Sequence, residues 1–181
     1  MTSYRRLKSP GDAYIFTLCL EDRESTLLVD HIDSLRAAYC ATLRELPALC
    51  PAMVVLPNHL HAIWVEPPGE VNYSERWRRI KARFSHTVGR APVISPSKLR
   101  RREAGLWQRR FWEHRIRTAA EFVAIMDDCR MNPVRHGLVG QPEDWEFSSF
   151  TRRTGNIAHP TLPYRPRQIQ PPPNTRLPSC A

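Results

Sequence analysis

The spacing of hydrophobic residues in the first half of the chain predicts a strand, a helix and a hairpin. Residues 14–20 form a run of apolar, β-branched and aromatic side chains that is typical of a β-strand. Apolar residues then recur at helical spacing over 28–46. Two short apolar runs follow, at 53–56 and 59–65, and the turn-forming pair Pro57-Asn58 separates them. We therefore expect these two runs to pair as a β-hairpin.

The second half of the chain predicts another helix and another strand, joined by a basic loop. Residues 74–88 carry apolar side chains on one helical face and charged side chains on the other. The loop at 90–102 is rich in arginine and is interrupted by prolines. Alternation of side-chain character then predicts a strand over 111–116.

The last predicted helix has the clearest boundaries, because its sequence carries both start and stop signals. Thr118 and Glu121 have the spacing of a capping box, in which each side chain satisfies a free amide at the helix start. Pro133 and Gly137 mark the predicted end. Strands and helices in this order predict an α+β fold, in which helices pack on an antiparallel-rich sheet.

Length and composition indicate one folded domain and a C-terminal extension. The chain has 181 residues, which is about the size of one domain. We predict a folded domain over 1–155 and a disordered tail over 156–181, where proline and arginine accumulate. No apolar run approaches the roughly 20 residues that span a bilayer, and the polar N-terminus does not resemble a signal peptide. We therefore expect a cytoplasmic protein.

The formal net charge of +9 favours a polyanionic partner. Charge by itself leaves DNA, RNA and an anionic membrane surface open. Ten basic residues are candidates for contacts with phosphate groups. They are Arg5, Arg6, Arg76, Arg79, Lys81, Arg83, Arg100, Arg101, Arg109 and Arg110. The alternative interpretation of these residues is a solvated basic face without a ligand.

A histidine pair at 59–61 carries the sharpest chemical signal in the sequence. His59 and His61 are separated by Leu60 within a predicted strand, and residues i and i+2 of a strand point to the same face. Two imidazoles on one side of a rigid strand can begin a divalent metal site. The spacing alone is common, so a structural role for both histidines remains the alternative at this point.

Several segments in the same order give the chain a specific resemblance over roughly residues 4–153. Together they resemble the IS200-like single-tyrosine transposases of the HUH superfamily, in the branch associated with repetitive extragenic palindromes (REPs). The matching segments are 54–64 (VVLPNHLHAIW), 76–84 (RWRRIKARF), 106–114 (LWQRRFWEH), 132–139 (NPVRHGLV) and 144–150 (DWEFSSF).

The resemblance implies a ferredoxin-like fold and transesterification chemistry on single-stranded hairpin DNA. It implies that His59, His61 and Asn132 bind Mg²⁺ or Mn²⁺, which would polarise one phosphodiester. In such enzymes a tyrosine hydroxyl attacks phosphorus and keeps the energy of the cleaved bond in a covalent 5′-phosphotyrosyl link. Family members are also similar in forming dimers that exchange the tyrosine helix, although this branch is expected to work as a monomer as well.

At the position where the family carries its tyrosine, this chain has Asp128. The family tyrosine lies four residues before the Asn of the metal site, and Asn132 fixes that register here. Residues i and i+4 lie one above the other on a helix, so both would face one phosphate. The tyrosines of the chain all lie outside this helix. They are Tyr4, Tyr14, Tyr39, Tyr73 and Tyr164.

The sequence leaves several interpretations of Asp128 open. The chain could retain DNA binding without chemistry, as a regulator or a domesticated remnant of a transposase. Asp128 could instead be an extra metal ligand that supports hydrolysis by water. Sequence error, a nucleophile from elsewhere in the chain, and partnership with an active relative are further alternatives. A metal-dependent hydrolase unrelated to DNA would explain the two histidines, but it would leave the charge and the ordered segments unexplained.

Overall fold

The computed structural model of the chain describes residues 11–69 and 71–151. The predicted tail at 156–181 and the candidate DNA contacts Arg5 and Arg6 lie outside these residues. The strands are β1 (Ala13–Cys19), β2 (Leu49–Val55), β3 (His59–Val65) and β4 (Trp112–Ile116). The helices are α1 (Leu27–Asp30), α2 (Ile32–Glu45), α3 (Tyr73–Val88), α4 (Pro96–Arg100) and α5 (Ala119–Arg135). None of these described helices combines the length and the apolar character that crossing a membrane requires.

The four strands form one antiparallel sheet in the order β2-β3-β1-β4. The two central strands, β1 and β3, pair over their whole length, and this pairing sets Thr17 opposite His61 and Cys19 opposite His59. The strand order and the helices that connect the strands are those of a ferredoxin-like fold. The predicted α+β class, with helices on an antiparallel sheet, is therefore confirmed.

The sheet separates two hydrophobic layers, because successive side chains of a strand point to opposite faces. On one face Tyr14, Phe16 and Leu18 of β1 pack against α2 and α3. Trp64 of β3 and Trp77 of α3 stack at a ring-centroid distance of 4.0 Å in this layer. On the other face the alternate residues of β1 and β3 pack against α5. Each face of the sheet is thus covered by a different set of helices.

Two elements in the first half differ from their predicted bounds. The helix predicted over 28–46 is divided at His31 into α1 and α2. Strand β2 begins at Leu49 rather than residue 53, so Pro51 lies inside it. Proline is tolerated there because β2 is at the edge of the sheet, and the pairing with β3 shifts register between Leu49 and Ala52.

The second half follows the predictions more closely, with one added helix. The basic loop at 90–102 contains the short helix α4. Helix α5 begins as predicted, since the Thr118 hydroxyl accepts a hydrogen bond from the Glu121 amide at 3.1 Å. The helix continues through Pro133 and ends at Arg135, two residues before Gly137, which has a φ of 68°. The amide of Leu138 then donates to the Pro133 carbonyl at 2.9 Å, as in a Schellman motif.

The outer edge of β2 is covered by the chain that follows α5. The Val55 amide donates to the Phe147 carbonyl at 2.9 Å, and the Ser149 amide donates to the Met53 carbonyl at 2.9 Å. The indole of Trp145 donates to the Val55 carbonyl at 2.8 Å. These bonds satisfy an edge that would otherwise be open to pairing with another chain.

A buried ion pair connects α3 to the end of β3 and to the loop after α2. The guanidinium of Arg76 donates to the Glu66 carboxylate at 2.6 and 2.8 Å, and both side chains are nearly inaccessible to solvent. Arg76 also donates to the carbonyls of Leu46 at 2.9 Å and Pro47 at 2.8 Å. Each of the three guanidinium nitrogens of Arg76 therefore donates to an acceptor inside the protein. This placement does not support the prediction that Arg76 contacts DNA.

We expect Arg76→Ala to lower the free energy of unfolding by about 3–5 kcal/mol, because the Glu66 carboxylate would be left buried without its partner. The matched control is Arg78→Ala, which removes an exposed arginine of the same helix that pairs with Glu75. This change should cost less than about 0.5 kcal/mol. Urea unfolding of both variants measures the difference, and equal midpoints would contradict the anchoring role of Arg76.

Candidate functional site

The two histidines of β3 lie side by side on the face of the sheet that α5 covers. Their ring centroids are 5.1 Å apart, and the ring planes are nearly perpendicular. His59 and His61 are only 2 % and 1 % exposed. Because β3 is paired on both sides, with β1 and with β2, its backbone cannot shift without breaking the sheet. The common orientation expected from their i, i+2 spacing is what the structure shows.

Hydrogen bonds at the inner ring nitrogens orient both imidazoles. His61 Nδ1 shares a hydrogen bond with Thr17 Oγ1 at 2.8 Å, and His59 Nδ1 lies 2.6 Å from Asn58 Oδ1. The Asn58 amide nitrogen donates to the Arg23 carbonyl. Asn58 Oδ1 is therefore the acceptor, and His59 Nδ1 carries the proton. The lone pair of His59 is consequently on Nε2, the atom available to a metal.

Burial keeps both imidazoles uncharged at neutral pH. It lowers the pKa of His59 to about 4, with smaller contributions from the nearby charges of His136 and Arg23. It lowers the pKa of His61 to about 3, with contributions from His59 and His136. A neutral imidazole is the form that binds a metal ion. Both histidines are thus held in their ligand state.

Helix α5 places a third acceptor against the histidine pair. Asn132 is 6 % exposed, and the His136 amide, one turn later, donates to its carbonyl at 3.0 Å. The His136 ring lies 5.1 Å from the His59 ring, which brings this end of α5 onto the histidines. His59 Nε2, His61 Nε2 and Asn132 Oδ1 are all buried without a hydrogen-bond partner in the described part of the chain.

Three unsatisfied buried acceptors in one region are uncommon in a folded protein and call for a ligand. Two imidazole nitrogens and one amide oxygen suit a divalent cation of intermediate hardness such as Mn²⁺, and the oxygen also suits Mg²⁺. The residues present therefore fit a divalent metal ion.

Asp128 is on the same helix, one turn before Asn132, and its carboxylate forms an ion pair. Asp128 Oδ1 accepts from the Arg135 guanidinium at 2.7 Å, and the Asp128 side chain is 23 % exposed. Within residues 11–69 and 71–151, no group of three or more His, Cys, Asp or Glu side chains is arranged to hold one metal ion. This finding does not support the interpretation of Asp128 as an extra ligand beside His59 and His61.

The tyrosines in the described residues are on the wrong face of the sheet to replace a nucleophile. Tyr14, Tyr39 and Tyr73 all belong to the layer between the sheet and helices α2 and α3. Tyr14 and Tyr73 are buried, and Tyr39 is enclosed enough that burial raises the pKa of its hydroxyl. The histidine pair faces α5 on the opposite side. Tyr4 and Tyr164 lie outside the described residues.

Two of the predicted DNA contacts on α3 are engaged by acidic side chains. Arg79 pairs with Glu75 at 2.7 Å and with Glu45 at 2.6 Å. Arg83 pairs with Glu45 as well. A phosphate at this face would have to displace a carboxylate, so this part of the basic surface is largely neutralised.

The segment 98–110 carries most of the predicted DNA contacts that are exposed. Arg100, Arg101 and Arg110 are exposed, and none of them forms an ion pair with a described residue. Arg109 is exposed but pairs with Glu103 at 3.0 Å. Lys81 of α3, another predicted DNA contact, points its ammonium at the Gln108 and Arg109 carbonyls of this segment. We refer to Arg100, Arg101 and Arg110 as the free arginines.

The free arginines are at the same end of the sheet as the histidine pair. The Gln108 amide donates to the Cys19 carbonyl at 3.0 Å, and Cys19 is opposite His59 in the sheet. Two strand spacings separate β3 from this segment, a distance of about 10 Å. A single DNA strand could therefore contact both. Trp107, an aromatic residue of this segment, is only 6 % exposed and is not available for stacking on a base.

Sequence reasoning did not identify the residues that support the histidines. Thr17 is in an apolar strand and Asn58 in a turn, and neither position carries a signal before the strands are paired. Arg23 is in the loop after β1, near His59, and no periodicity singles it out. His136 belongs to the matching segment 132–139, and the structure sets its ring against that of His59.

A ferredoxin-like sheet with a histidine pair on a central strand, and an asparagine-bearing helix packed against it, defines the HUH class of single-stranded-DNA transposases. Over 160 residues the chain is 38 % identical to a REP-associated tyrosine transposase of Escherichia coli (strain K12), a match that covers 88 % of this chain and 89 % of that protein. The chain therefore belongs to the REP-associated tyrosine transposase family.

Two further comparisons agree with this assignment. A Haemophilus influenzae relative named for the same class is 37 % identical over 153 residues, which cover 84 % of this chain and 87 % of that protein. A solved structure of a REP-associated tyrosine transposase bound to a REP hairpin is 39 % identical, with a TM-score of 0.73 and 83 % of each chain covered. No protein-family model matches the chain.

We expect the chain to bind one Mn²⁺ ion, and His61→Ala to abolish that binding, because it removes one of three ligand atoms. The matched control is His114→Ala, since the His114 ring pairs with Glu121 at 2.7 Å outside the histidine pair. Titration calorimetry with Mn²⁺ measures both affinities. Unchanged Mn²⁺ affinity in the His61 variant would rule out this site.

Proposed function

We propose that this protein binds single-stranded hairpin DNA of the REP type and holds a divalent metal ion against one of its phosphates. The observation that carries the proposal is the set of unpartnered buried acceptors, His59 Nε2, His61 Nε2 and Asn132 Oδ1. The family relationship supplies the kind of DNA, because the solved relative is bound to a REP hairpin.

The side chains of the site prepare it for a metal-bound phosphodiester. His59 and His61 are uncharged and are held by Asn58 and Thr17, so their Nε2 atoms need no reorganisation. When bound, Mg²⁺ or Mn²⁺ supplies Lewis-acid polarisation of the phosphodiester. The free arginines then neutralise phosphates farther along the same strand.

Strand transfer is the step that this chain does not support. A tyrosine oxygen that attacks phosphorus displaces the 3′ oxygen and keeps a stable phosphodiester to the enzyme. A carboxylate oxygen of Asp128 would form an acyl phosphate in the same displacement, and water cleaves that anhydride readily. The Arg135 guanidinium also holds the carboxylate at 2.7 Å. We therefore propose a protein that recognises the hairpin without rejoining strands, as a DNA-binding regulator or a domesticated transposase.

We expect no covalent protein–DNA adduct from the unmodified chain when it is incubated with a REP hairpin oligonucleotide and Mn²⁺. Asp128→Tyr should restore an adduct, because it returns a hydroxyl nucleophile to a helix position that faces Asn132. Denaturing electrophoresis of labelled DNA detects the adduct.

The control for this assay is Asp128→Phe, which matches the ring of tyrosine but has no hydroxyl and should form no adduct. A stable covalent adduct from the unmodified chain would contradict the loss of strand transfer, and it would indicate a nucleophile other than Asp128. An Asp128→Tyr variant that binds the hairpin but forms no adduct would show that more than the nucleophile has been lost.

We expect the affinity for the same hairpin to fall steeply with salt, and the free arginines to account for part of that slope. Each phosphate contact on a single strand contributes about 0.7 to the slope of log affinity against log salt concentration. Replacing Arg100, Arg101 and Arg110 by Ala should therefore reduce the slope by up to about 2. Fluorescence anisotropy at several salt concentrations measures it.

The matched control for the slope is Arg79→Ala, because Arg79 is another predicted DNA contact but is paired with Glu45 and Glu75. Its slope should stay close to that of the unmodified chain. If Arg79→Ala reduces the salt dependence of affinity and the replacement of the free arginines does not, the phosphate contacts belong to α3. A flat salt dependence of the unmodified chain would contradict nucleic-acid binding altogether.

A further inference from the structure

Arg23 lies in a loop beside the histidine pair and has no ion-pair partner among the described residues. It lies in the loop between β1 and α1, and its Nη1 atom is buried with no hydrogen-bond partner among the described residues. Of the three carboxylates nearest to Arg23 in sequence, Glu24 forms no ion pair with it, and the other two are engaged elsewhere. Glu21 pairs with Lys98 at 2.6 Å, and Asp22 Oδ1 accepts from the Glu24 amide at 3.0 Å. A buried charged donor left unpaired costs free energy, so an unfilled Nη1 indicates a missing anion.

The loop that carries Arg23 is fastened to the turn that leads into β3. Asn58 donates to the Arg23 carbonyl, and the same side chain accepts from His59 Nδ1 at 2.6 Å. On one side of Arg23, the Leu20 amide donates to the Asn58 carbonyl at 2.8 Å. On the other side, the Leu28 amide donates to the Pro57 carbonyl at 3.1 Å. The position of Arg23 relative to His59 is therefore fixed by hydrogen bonds before any ligand binds.

Electrostatics bears on what lies between Arg23 and the histidine pair. A guanidinium close enough to act on His59 would also repel a divalent cation bound there. That repulsion becomes an attraction only when an anion lies between the two positive groups. A phosphate bound to the metal ion is an anion in that position.

We propose that Arg23 binds the same DNA phosphate as the metal ion that the histidine pair would hold. This proposal rests on the DNA-binding function argued above. A guanidinium offers parallel donors that match two phosphate oxygens, a geometry that lysine cannot reproduce. Arg23 is thus a phosphate-binding residue of the metal site rather than part of the free arginines.

The same placement connects the metal site with the free arginines. Glu21, two residues before Arg23, donates its amide to the Leu106 carbonyl at 2.8 Å and pairs with Lys98. The loop therefore bridges the segment 98–110 and the turn before β3. A DNA strand that contacts Arg101 or Arg110 and then reaches His59 passes across Arg23. The proposal thus gives the bound strand a continuous path of positive charge.

The test compares Arg23→Ala, Arg23→Lys and the control Arg36→Ala on a REP hairpin oligonucleotide in the presence of Mn²⁺. Arg36 is an exposed arginine of α2 that pairs with Asp33, so its removal changes the net charge equally. Arg23→Ala should weaken hairpin binding by about 10- to 100-fold, the range for a hydrogen-bonded charged group. Arg23→Lys should recover only part of that loss, and Arg36→Ala should have little effect.

Single methylphosphonate linkages locate the phosphate. A methylphosphonate linkage is uncharged and gives Arg23 no charge to bind. When the linkage that Arg23 contacts is modified, Arg23→Ala and the unmodified chain should therefore bind the oligonucleotide equally well. The same scan with His61→Ala identifies the linkage at the metal ion. We expect the two scans to select the same linkage. The proposal would be overturned if Arg23→Ala bound more weakly than the unmodified chain by the same factor at every modified linkage. It would also be overturned if the linkage found for Arg23 were remote from the one found for the metal ion.

Mn²⁺ binding without DNA separates this role from a structural one. Arg23→Ala should bind free Mn²⁺ at least as tightly as the unmodified chain, because a repelling cation has been removed. Weaker Mn²⁺ binding would mean that Arg23 supports the fold of the site, and it would overturn the proposal. If the unmodified chain fails to bind the hairpin, the proposed function fails as well. If it binds the hairpin and Arg23→Ala binds equally well, only the role of Arg23 is wrong.

Discussion

The packing of α5 on one face of the sheet is the interaction on which the site depends. Two series of side chains run along the two surfaces, and each changes from apolar to polar at the same end. Along β3 the series is Ile63, His61 and His59, and along α5 it is Ile125, Cys129 and Asn132. The apolar members fill the layer between helix and sheet, and this fixes the spacing at which the polar members meet. The atoms proposed to bind the metal ion are therefore a continuation of the core.

The parts of the fold that local sequence dictates were predicted, and the parts that depend on distant partners were not. The strand at 59–65 and the capping box at Thr118 follow from periodicity and from spacing within a few residues. The burial of Arg76 depends on Glu66, which belongs to another element, and nothing in the charged helix face signals it. The early start of β2 depends on its edge position, which only the strand order establishes.

The same distinction applies to the candidate site. His59, His61 and Asn132 were predicted because their residue types and spacing are local, and the family resemblance aligned them. Thr17 and Arg23 reach the site through strand pairing and loop hydrogen bonds, which no linear pattern records. The basic residues form the mixed case, because charge is visible in the sequence whereas pairing with Glu45 or Glu75 is not. Composition therefore overestimates the surface that is open to phosphate.

The site tolerates aspartate at position 128 because the residues that shape it are elsewhere. Its ligand atoms are positioned by the β1–β3 pairing and by the apolar contacts of α5, and Asp128 takes part in neither. The ion pair of Asp128 with Arg135 is partly exposed, so it adds about 0–1 kcal/mol to stability. Changing this residue consequently costs the fold little and leaves the histidines and Asn132 in place. Under the proposed function, phosphate binding and strand transfer are thus separable, since only strand transfer requires a particular side chain at 128.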